Sequence, residues 1–299
     1  MDVLVIKDLK KSFGDKEVLS GVDIAIPEGS IFGFVGKNGA GKTTTMKAIL
    51  GLIGCDGGEI FVLGERVLFG GVTTNKHIGY LPDVPEFYPY MTAREYLEFT
   101  GECAGMSTSY IKERCDELLS LVGLADENHR IKGFSRGMKQ RLGIASALFA
   151  SPKLLICDEP TSALDPIGRR EILDILKKIK GETTVLFSTH ILSDVESIAT
   201  DIALLDDGVI KVCGTAQSIK EHQRGNRFAI ELFDSSSFEV IRSKFPSVED
   251  CDGRGLRFLI GADEIADLLS FVAESKIPFS KIERVEPTLE SIFMEAVGK

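Results

Sequence analysis

The 299-residue sequence has no uninterrupted apolar segment close to the roughly eighteen residues that a helix needs to cross a bilayer. Its start, Met1-Asp2-Val3-Leu4-Val5-Ile6-Lys7, lacks the basic and long apolar regions of a signal peptide, so the expected location is the cytoplasm. Cys55, Cys103, Cys115, Cys157, Cys213 and Cys251 form no CxxC pair, which argues against a metal or redox role and predicts reduced, mostly buried thiols. His77, His129 and His222 stand in no ligand-like spacing and read as surface or loop residues. Positive charge is also scarce: 35 Lys and Arg face 45 Asp and Glu, and a net charge of -10 speaks against a broad phosphate-backbone footprint, so no nucleic-acid partner is expected. Sustained heptads are missing as well, which excludes a long coiled coil. The hydrophobic fraction, 43%, is ordinary for one large or two modest domains, and the length favours two.

What is present centres on Gly36-Lys37-Asn38-Gly39-Ala40-Gly41-Lys42-Thr43-Thr44. The preceding run, Ile31-Phe32-Gly33-Phe34-Val35, is short, apolar and aromatic, as a buried strand is, and Thr43 to Leu50 reads as a helix closed by Gly51. Strand, glycine loop and helix in that order make a phosphate cradle. Gly36, Gly39 and Gly41 can take φ values that other residues resist, so the loop N–H groups, with those of Asn38, Ala40 and Thr44, converge on phosphate oxygens at the positive end of the helix. Lys42 supplies a mobile positive charge for the β and γ phosphates, and the Thr43 hydroxyl is the expected Mg²⁺ ligand. Further along, Leu154-Leu155-Ile156-Cys157-Asp158-Glu159 is an apolar strand ending in two carboxylates, at the strand end where ligands sit in an open parallel sheet. Asp158 suits the Mg²⁺ shell beside Thr43, while Glu159 can orient or deprotonate an attacking water.

Around these motifs, residues 3–32 alternate apolar and polar side chains with breaks at Gly14-Asp15, Ser20-Gly21 and Pro27-Glu28-Gly29, which predicts an antiparallel sheet with tight turns and places Phe13 on one of them. Gly57 to Gly64 and Ile78 to Pro82 read as strands. Residues 84–150 are a helical insert: Thr92 and Glu95 have capping-box spacing, Ile111, Cys115, Leu118, Leu119 and Val122 share one face, and a helix spans about Gly137 to Ala150. Buried strands at Leu154–Cys157 and Thr184–Phe187 flank a helix from Gly168 to Ile179, and Ile202–Leu205 with Val209–Val212 reads as a closing hairpin. Apolar periodicity then fails, giving a linker at 218–225 between domains at 1–217 and 226–299. The second domain reads as strand Phe228–Phe233, helix Phe238–Phe245, a hairpin over Val248–Ile260 turning at Asp252-Gly253, helix Ile265–Val272 and strand Ile282–Val285, a βαββαβ ferredoxin-like order, before a last helix carrying Leu289, Ile292, Phe293 and Ala296.

These motifs resemble, in order, those of the nucleotide-binding subunit of an ATP-binding-cassette (ABC) transporter, over residues 1 to about 217. Besides the two above, Phe134-Ser135-Arg136-Gly137-Met138-Lys139-Gln140-Arg141 resembles the family's signature loop, Ser162-Ala163-Leu164-Asp165 its dimer-contact loop, and Ser188-Thr189-His190 its switch histidine. The resemblance implies an α/β P-loop NTPase cassette: a mostly parallel sheet, an antiparallel β subdomain and a helical subdomain, followed here by the small α+β domain. It implies ATP and Mg²⁺, two cassettes meeting head to tail, and Ser135 and Gly137 of one touching the γ-phosphate held by Lys42 of the other. Those two residues precede a helix, whose free N-terminus suits an anion. It also implies that His190 reaches the γ-phosphate, giving a catalytic set of Lys42, Glu159 and His190.

Three departures stand out. Phe13 replaces the tyrosine that stacks on adenine, keeping the ring without its hydroxyl. Asp83 replaces the glutamine of the following loop and joins Thr43 and Asp158 as a candidate metal ligand, and Arg136 and Met138 replace a glycine and a glutamine of the signature. They are similar to changes in a bacterial subgroup of bacitracin, daunorubicin or sodium exporters, with further counterparts in Leu81 to Pro89 and Pro287 to Phe293. The implied protein is an ATPase subunit, paired with a second cassette as homodimer or heterodimer, driving a separately encoded permease from the inner face of the membrane. The competing class is a soluble cassette ATPase acting on ribosomes, DNA or another machine; such proteins often carry a second cassette, a coiled coil or a basic surface, and this sequence has none of these. A third reading makes the C-terminal domain a regulator-binding sensor.

Overall fold

The computed structural model describes residues 1–222, 227–251, 253–285 and 288–298. Residues 223–225 of the expected linker, Asp252 of the expected turn, Pro287 and Lys299 lie outside the described residues. The chain divides into two compact units, Met1–Ala216 with Ala296–Lys299, and Gln217–Glu295.

In the first unit β1 (Asp2–Phe13) and β2 (Lys16–Pro27) form the hairpin expected around Gly14-Asp15, so Phe13 is the last residue of a strand. The expected break at Ser20-Gly21 lies inside β2. There the register steps from Leu9↔Val22 to Lys10↔Ser20, and Gly21, at φ 101°, is the extra residue of a bulge. A glycine in a strand can mark such a bulge as readily as a turn. β4 (Gly57–Val62) and β5 (Glu65–Arg66) complete an antiparallel sheet of order β2-β1-β4-β5.

The second sheet contains β3 (Ile31–Val35), β6 (Ile78–Leu81), β7 (Leu154–Cys157), β8 (Thr184–Thr189), β9 (Asp201–Asp206) and β10 (Val209–Thr215), ordered β10-β9-β3-β8-β7-β6. Every neighbouring pair is parallel except β9 with β10. β3, β7 and β8 are buried at every residue, which explains their continuous apolar runs: a sheet covered on both faces has no solvent side to alternate with. The pairs Val35↔Thr189 and Cys157↔Phe187 align the carboxyl ends of β3, β7 and β8 along one edge.

The helices are α1 (Lys42–Ile49), α2 (Ala93–Cys103), α3 (Thr108–Leu121), α4 (Arg136–Leu148), α5 (Pro166–Lys178) and α6 (Leu192–Ile198), and α7 (Ala216–His222) begins at the last residue before the second unit. Thr92 and Glu95 close the expected capping box: the Glu95 amide donates to Thr92 Oγ1 at 3.2 Å and the Thr92 amide to Glu95 Oε2 at 2.8 Å. The first core joins both sheets through Leu4, Ile26, Phe32, Phe34, Met46 and Ile156. α7 takes up residues 218–222 of the expected linker, where short polar helix replaces open chain. The thiols correct the expectation of mostly buried cysteines: Cys115 and Cys157 are buried, whereas Cys55, Cys103, Cys213 and Cys251 are exposed, because their flanking apolar residues belong to loops, a helix end and an edge strand.

The second unit contains β11 (Arg227–Leu232), α8 (Phe238–Lys244), β12 (Glu249–Asp250), β13 (Arg257–Gly261), α9 (Ile265–Glu274), β14 (Phe279–Arg284) and α10 (Leu289–Ala296). Its sheet is antiparallel, ordered β12-β13-β11-β14, which is the ferredoxin-like arrangement that βαββαβ produces. Ile230, Ile241, Phe258, Ile260 and Leu268 form a separate core.

Candidate active site

Beyond Val35 the chain turns through Gly36 to Gly41 into α1. A Cβ on Gly36 would lie 2.5 Å from the Leu205 carbonyl oxygen, and one on Gly41, at φ 112°, would lie 2.6 Å from Leu19 Cδ2, so both positions require glycine. Lys42, the first residue of α1, is 6% exposed and folds back over the loop. Its Nζ donates to the carbonyl oxygens of Gly36 at 2.6 Å and Lys37 at 3.2 Å, and lies 3.1 Å from Glu159 Oε1. The ammonium therefore donates to two carbonyls and forms an ion pair with one carboxylate.

Asp158 and Glu159 follow β7 directly. Asp158 is buried and accepts from Ser188 Oγ at 2.7 Å, while the Glu159 amide donates to the same Ser188 oxygen at 2.9 Å. Glu159 sits at φ 49°, and its Oε2 is 2.9 Å from His190 Nδ1. The two carboxylates, the ammonium and the imidazole are thus connected across the ends of three neighbouring strands.

Between them lies a cavity of about 350 Å³. Of the residues singled out from sequence, Asn38, Gly39, Gly41, Lys42, Thr43, Thr44, Asp83, Asp158, Glu159, His190 and, from the expected dimer-contact loop, Ser162 line it, with Val18 in addition. Gly36 contributes its carbonyl to Lys42, and the Ala40 amide closes the loop onto the Lys37 carbonyl at 3.1 Å. Phe13, Ser135 and Gly137 are not among the lining residues. Phe13 ends β1 half-exposed with Lys11 Nζ 5.3 Å from its ring centroid, and Ser135 caps α4 by accepting the Met138 amide at 3.2 Å. Val18 carried no sequence signal, since its part is to back the loop from a different sheet.

Asp83 is tied to the signature helix. Its carboxylate lies 3.3 Å from Arg136 Nη2, and its carbonyl accepts from Gln140 Nε2, fully buried on α4, at 2.6 Å. Two departures from the family pattern, 53 residues apart, therefore meet as an ion pair. Burial raises the Asp83 carboxyl above the ordinary aspartate range; Arg136 opposes this, and Asp158 and Glu159 add to it. Burial, with Asp158, Cys157 and Asp83 nearby, likewise pushes the Tyr80 hydroxyl up to about 12.

The loop after Glu159 is anchored from behind. Asp194, 3% exposed, accepts from Thr161 Oγ1 at 2.6 Å and pairs with Arg169 Nη2 at 2.6 Å, and Asp165 caps α5 through the Gly168 amide at 3.1 Å. This holds Ser162 to Asp165, the expected dimer-contact loop, against α5 and α6.

A family model described as ABC transporter matches residues 19–162, and one described as ATP-binding protein DrrA1-3-like, C-terminal domain, matches residues 214–297. The bacitracin transport ATP-binding protein BcrA of Bacillus licheniformis is 33% identical, over 99% of this chain and 97% of that protein. The chain belongs to the ABC transporter family. The ABC transporter ATP-binding protein YxlF of Bacillus subtilis is 42% identical over 77% of each chain. A solved structure titled as the ATP binding subunit of an ABC transporter is 32% identical, with a TM-score of 0.65, covering 74% of this chain and 92% of that one.

As an ABC ATP-binding subunit the protein binds and hydrolyses ATP. The cavity fits that ligand: a glycine loop whose backbone a side chain would obstruct, a buried lysine over it, and two carboxylates opposite. Mg²⁺ suits the donor set as well. No group of three or more His, Cys, Asp or Glu able to hold a metal by itself occurs among the described residues, and Mg²⁺ in nucleotide sites takes one or two protein oxygens plus phosphates. Thr43 and Asp158 both face the cavity and offer such oxygens.

Proposed function

We propose that this cassette powers export through a separately encoded permease, hydrolysing ATP at two sites shared with a second cassette. The observation that carries the reading is the run from Lys42 through Glu159 to His190 beside Asp158, polar groups that converge on one edge of an otherwise buried sheet.

In this reading the loop from Gly36 to Thr44 and Lys42 hold the phosphates. Thr43 and Asp158, with Asp83 as a further candidate, hold Mg²⁺, which neutralises phosphate charge. Glu159 takes the proton of the attacking water on its carboxylate, and His190 Nδ1 orients that carboxylate. Phe13, at the strand end and half-exposed, stacks the base. Ser135, exposed, and Gly137, half-buried, stand at the start of α4 outside this cavity and complete the partner cassette's site, so hydrolysis requires the pair.

Export is supported by the subgroup resemblance and by the bacitracin transport relative, which spans nearly the whole chain. No described helix is long and apolar enough to cross a membrane, so substrate passage falls to the permease and the cassette lies on the inner membrane face through it.

The test is Glu159→Gln in the full chain. ATP binding persists, turnover falls by about 10²- to 10⁴-fold, the scale of a lost general base, and a dimer accumulates with ATP in size-exclusion chromatography. Unchanged phosphate release would remove Glu159 from its role. Purifying that variant from detergent-solubilised native membranes with Mg-ATP, and identifying what accompanies it by mass spectrometry, tests the permease. Soluble partners alone would refute it.

A further inference from the structure

We propose that Ser188 is a positioning residue that sets both active-site carboxylates through one hydroxyl group. β8 runs between β3 and β7, and the pairs Phe34↔Ser188 and Cys157↔Phe187 bring Ser188 beside Asp158, between the phosphate loop and the carboxylates. Its side chain is fully buried. The Glu159 amide can only donate, so at 2.9 Å it takes a lone pair of Ser188 Oγ. The single hydroxyl proton is then free for one acceptor, and Asp158 Oδ1 stands 2.7 Å away. That proton fixes Asp158 in one rotamer, with Oδ1 engaged and Oδ2 left to a cation. The bond from the Glu159 amide holds that residue at φ 49°, a left-handed conformation that a non-glycine residue adopts only when its surroundings impose it. One hydroxyl therefore couples the aim of the metal-binding carboxylate to that of the catalytic one, much as outer groups orient metal ligands elsewhere.

The inference rests on the reading in which Asp158 and Thr43 hold Mg²⁺, and the test separates the two. Binding of a fluorescent ATP analogue to the full chain is measured in EDTA and across a Mg²⁺ titration, alongside ATP turnover and thermal melting. With Ser188→Ala, affinity in EDTA stays within about twofold of wild type, whereas the Mg²⁺ concentration giving half of the metal-dependent affinity rises about tenfold, the usual cost of losing an outer-shell partner. Ser188→Thr, which keeps the hydroxyl, restores most of the response. Should the alanine variant lose its melting transition, Ser188→Cys, nearly isosteric with a weak S–H donor, gives the same comparison. A folded Ser188→Ala or Ser188→Cys chain with the wild-type Mg²⁺ requirement overturns the proposal. A wild-type chain whose affinity ignores Mg²⁺ overturns the metal assignment instead.

Discussion

The two units solve the burial of a sheet differently. In the first, β3, β7 and β8 are covered on both faces, and several of the polar groups that the chain buries, Lys42, Asp158, Ser188 and Thr189 among them, lie at or just beyond their carboxyl ends. In the second, β11 and β13 each mix buried residues with half-buried or exposed ones and β14 buries none fully, so charges pair in the open, as Arg227 does with Glu249 and Arg257 with Glu283. Among the described residues the buried polar and charged side chains, from Ser30 to Asp206, all belong to the first unit. A sheet closed on both faces concentrates chemistry where its strands stop, and one open to water disperses it.

The sharpest test of that contrast removes one core ring from each unit. Phe34→Ala and Phe258→Ala each cost about 3–5 kcal/mol in the unit affected, as fully buried phenylalanines do. In calorimetry with an ATP analogue, Phe34→Ala lowers the transition that the nucleotide shifts, while Phe258→Ala lowers the other and leaves nucleotide affinity in place. A loss of affinity in Phe258→Ala would mean that the units do not act separately. Thr92→Ala removes the capping box of α2 at a cost of about 1 kcal/mol, a loss that α9, which has no side-chain cap, cannot suffer. Its check is a modest fall in the first unit's melting temperature alone.

The smallest effect concerns Asp83. Its folded pKa is raised above the ordinary value of 3.8, so the folded state holds the proton more tightly and the carboxylate disfavours folding once pH exceeds that range. Asp83→Asn removes this penalty: it melts slightly above wild type at pH 7, and the advantage fades as pH falls towards 3.8. Partial exposure and the Arg136 pair keep the difference small. A variant that melts lower at pH 7 would show that the ion pair outweighs the burial.

Contiguity decided what could be read from sequence alone. The phosphate loop, its strand and its helix lie within residues 31–50, and the structure places them in that order; the carboxylates close β7 in the same legible way. The capping box of α2 and the ferredoxin-like order needed only local periodicity. α6 was illegible because it has seven residues and Ile191 precedes it without a side-chain cap, so neither length nor a start signal marks it. The bulge at Gly21 looked like a turn because glycine serves both. The bridging role of Ser188 and the pairing of Asp83 with Arg136 depend on which strands and helices become neighbours, information that spacing along the chain does not hold.

The strand order also has a consequence in time. β3 lies between β8 and β9, which follow it in the chain by about 150 residues or more. At synthesis rates of roughly 5–20 residues per second, β3 leaves the ribosome about 7–30 s before either neighbour exists. For that interval its edges and apolar faces have no native partner, and the long loop must still be closed before pairing rewards it. The antiparallel sheet at the N-terminus is finished far sooner, since β1, β2, β4 and β5 are complete by residue 66. The nascent cassette therefore waits, half-built, on the strand that leads into its nucleotide loop.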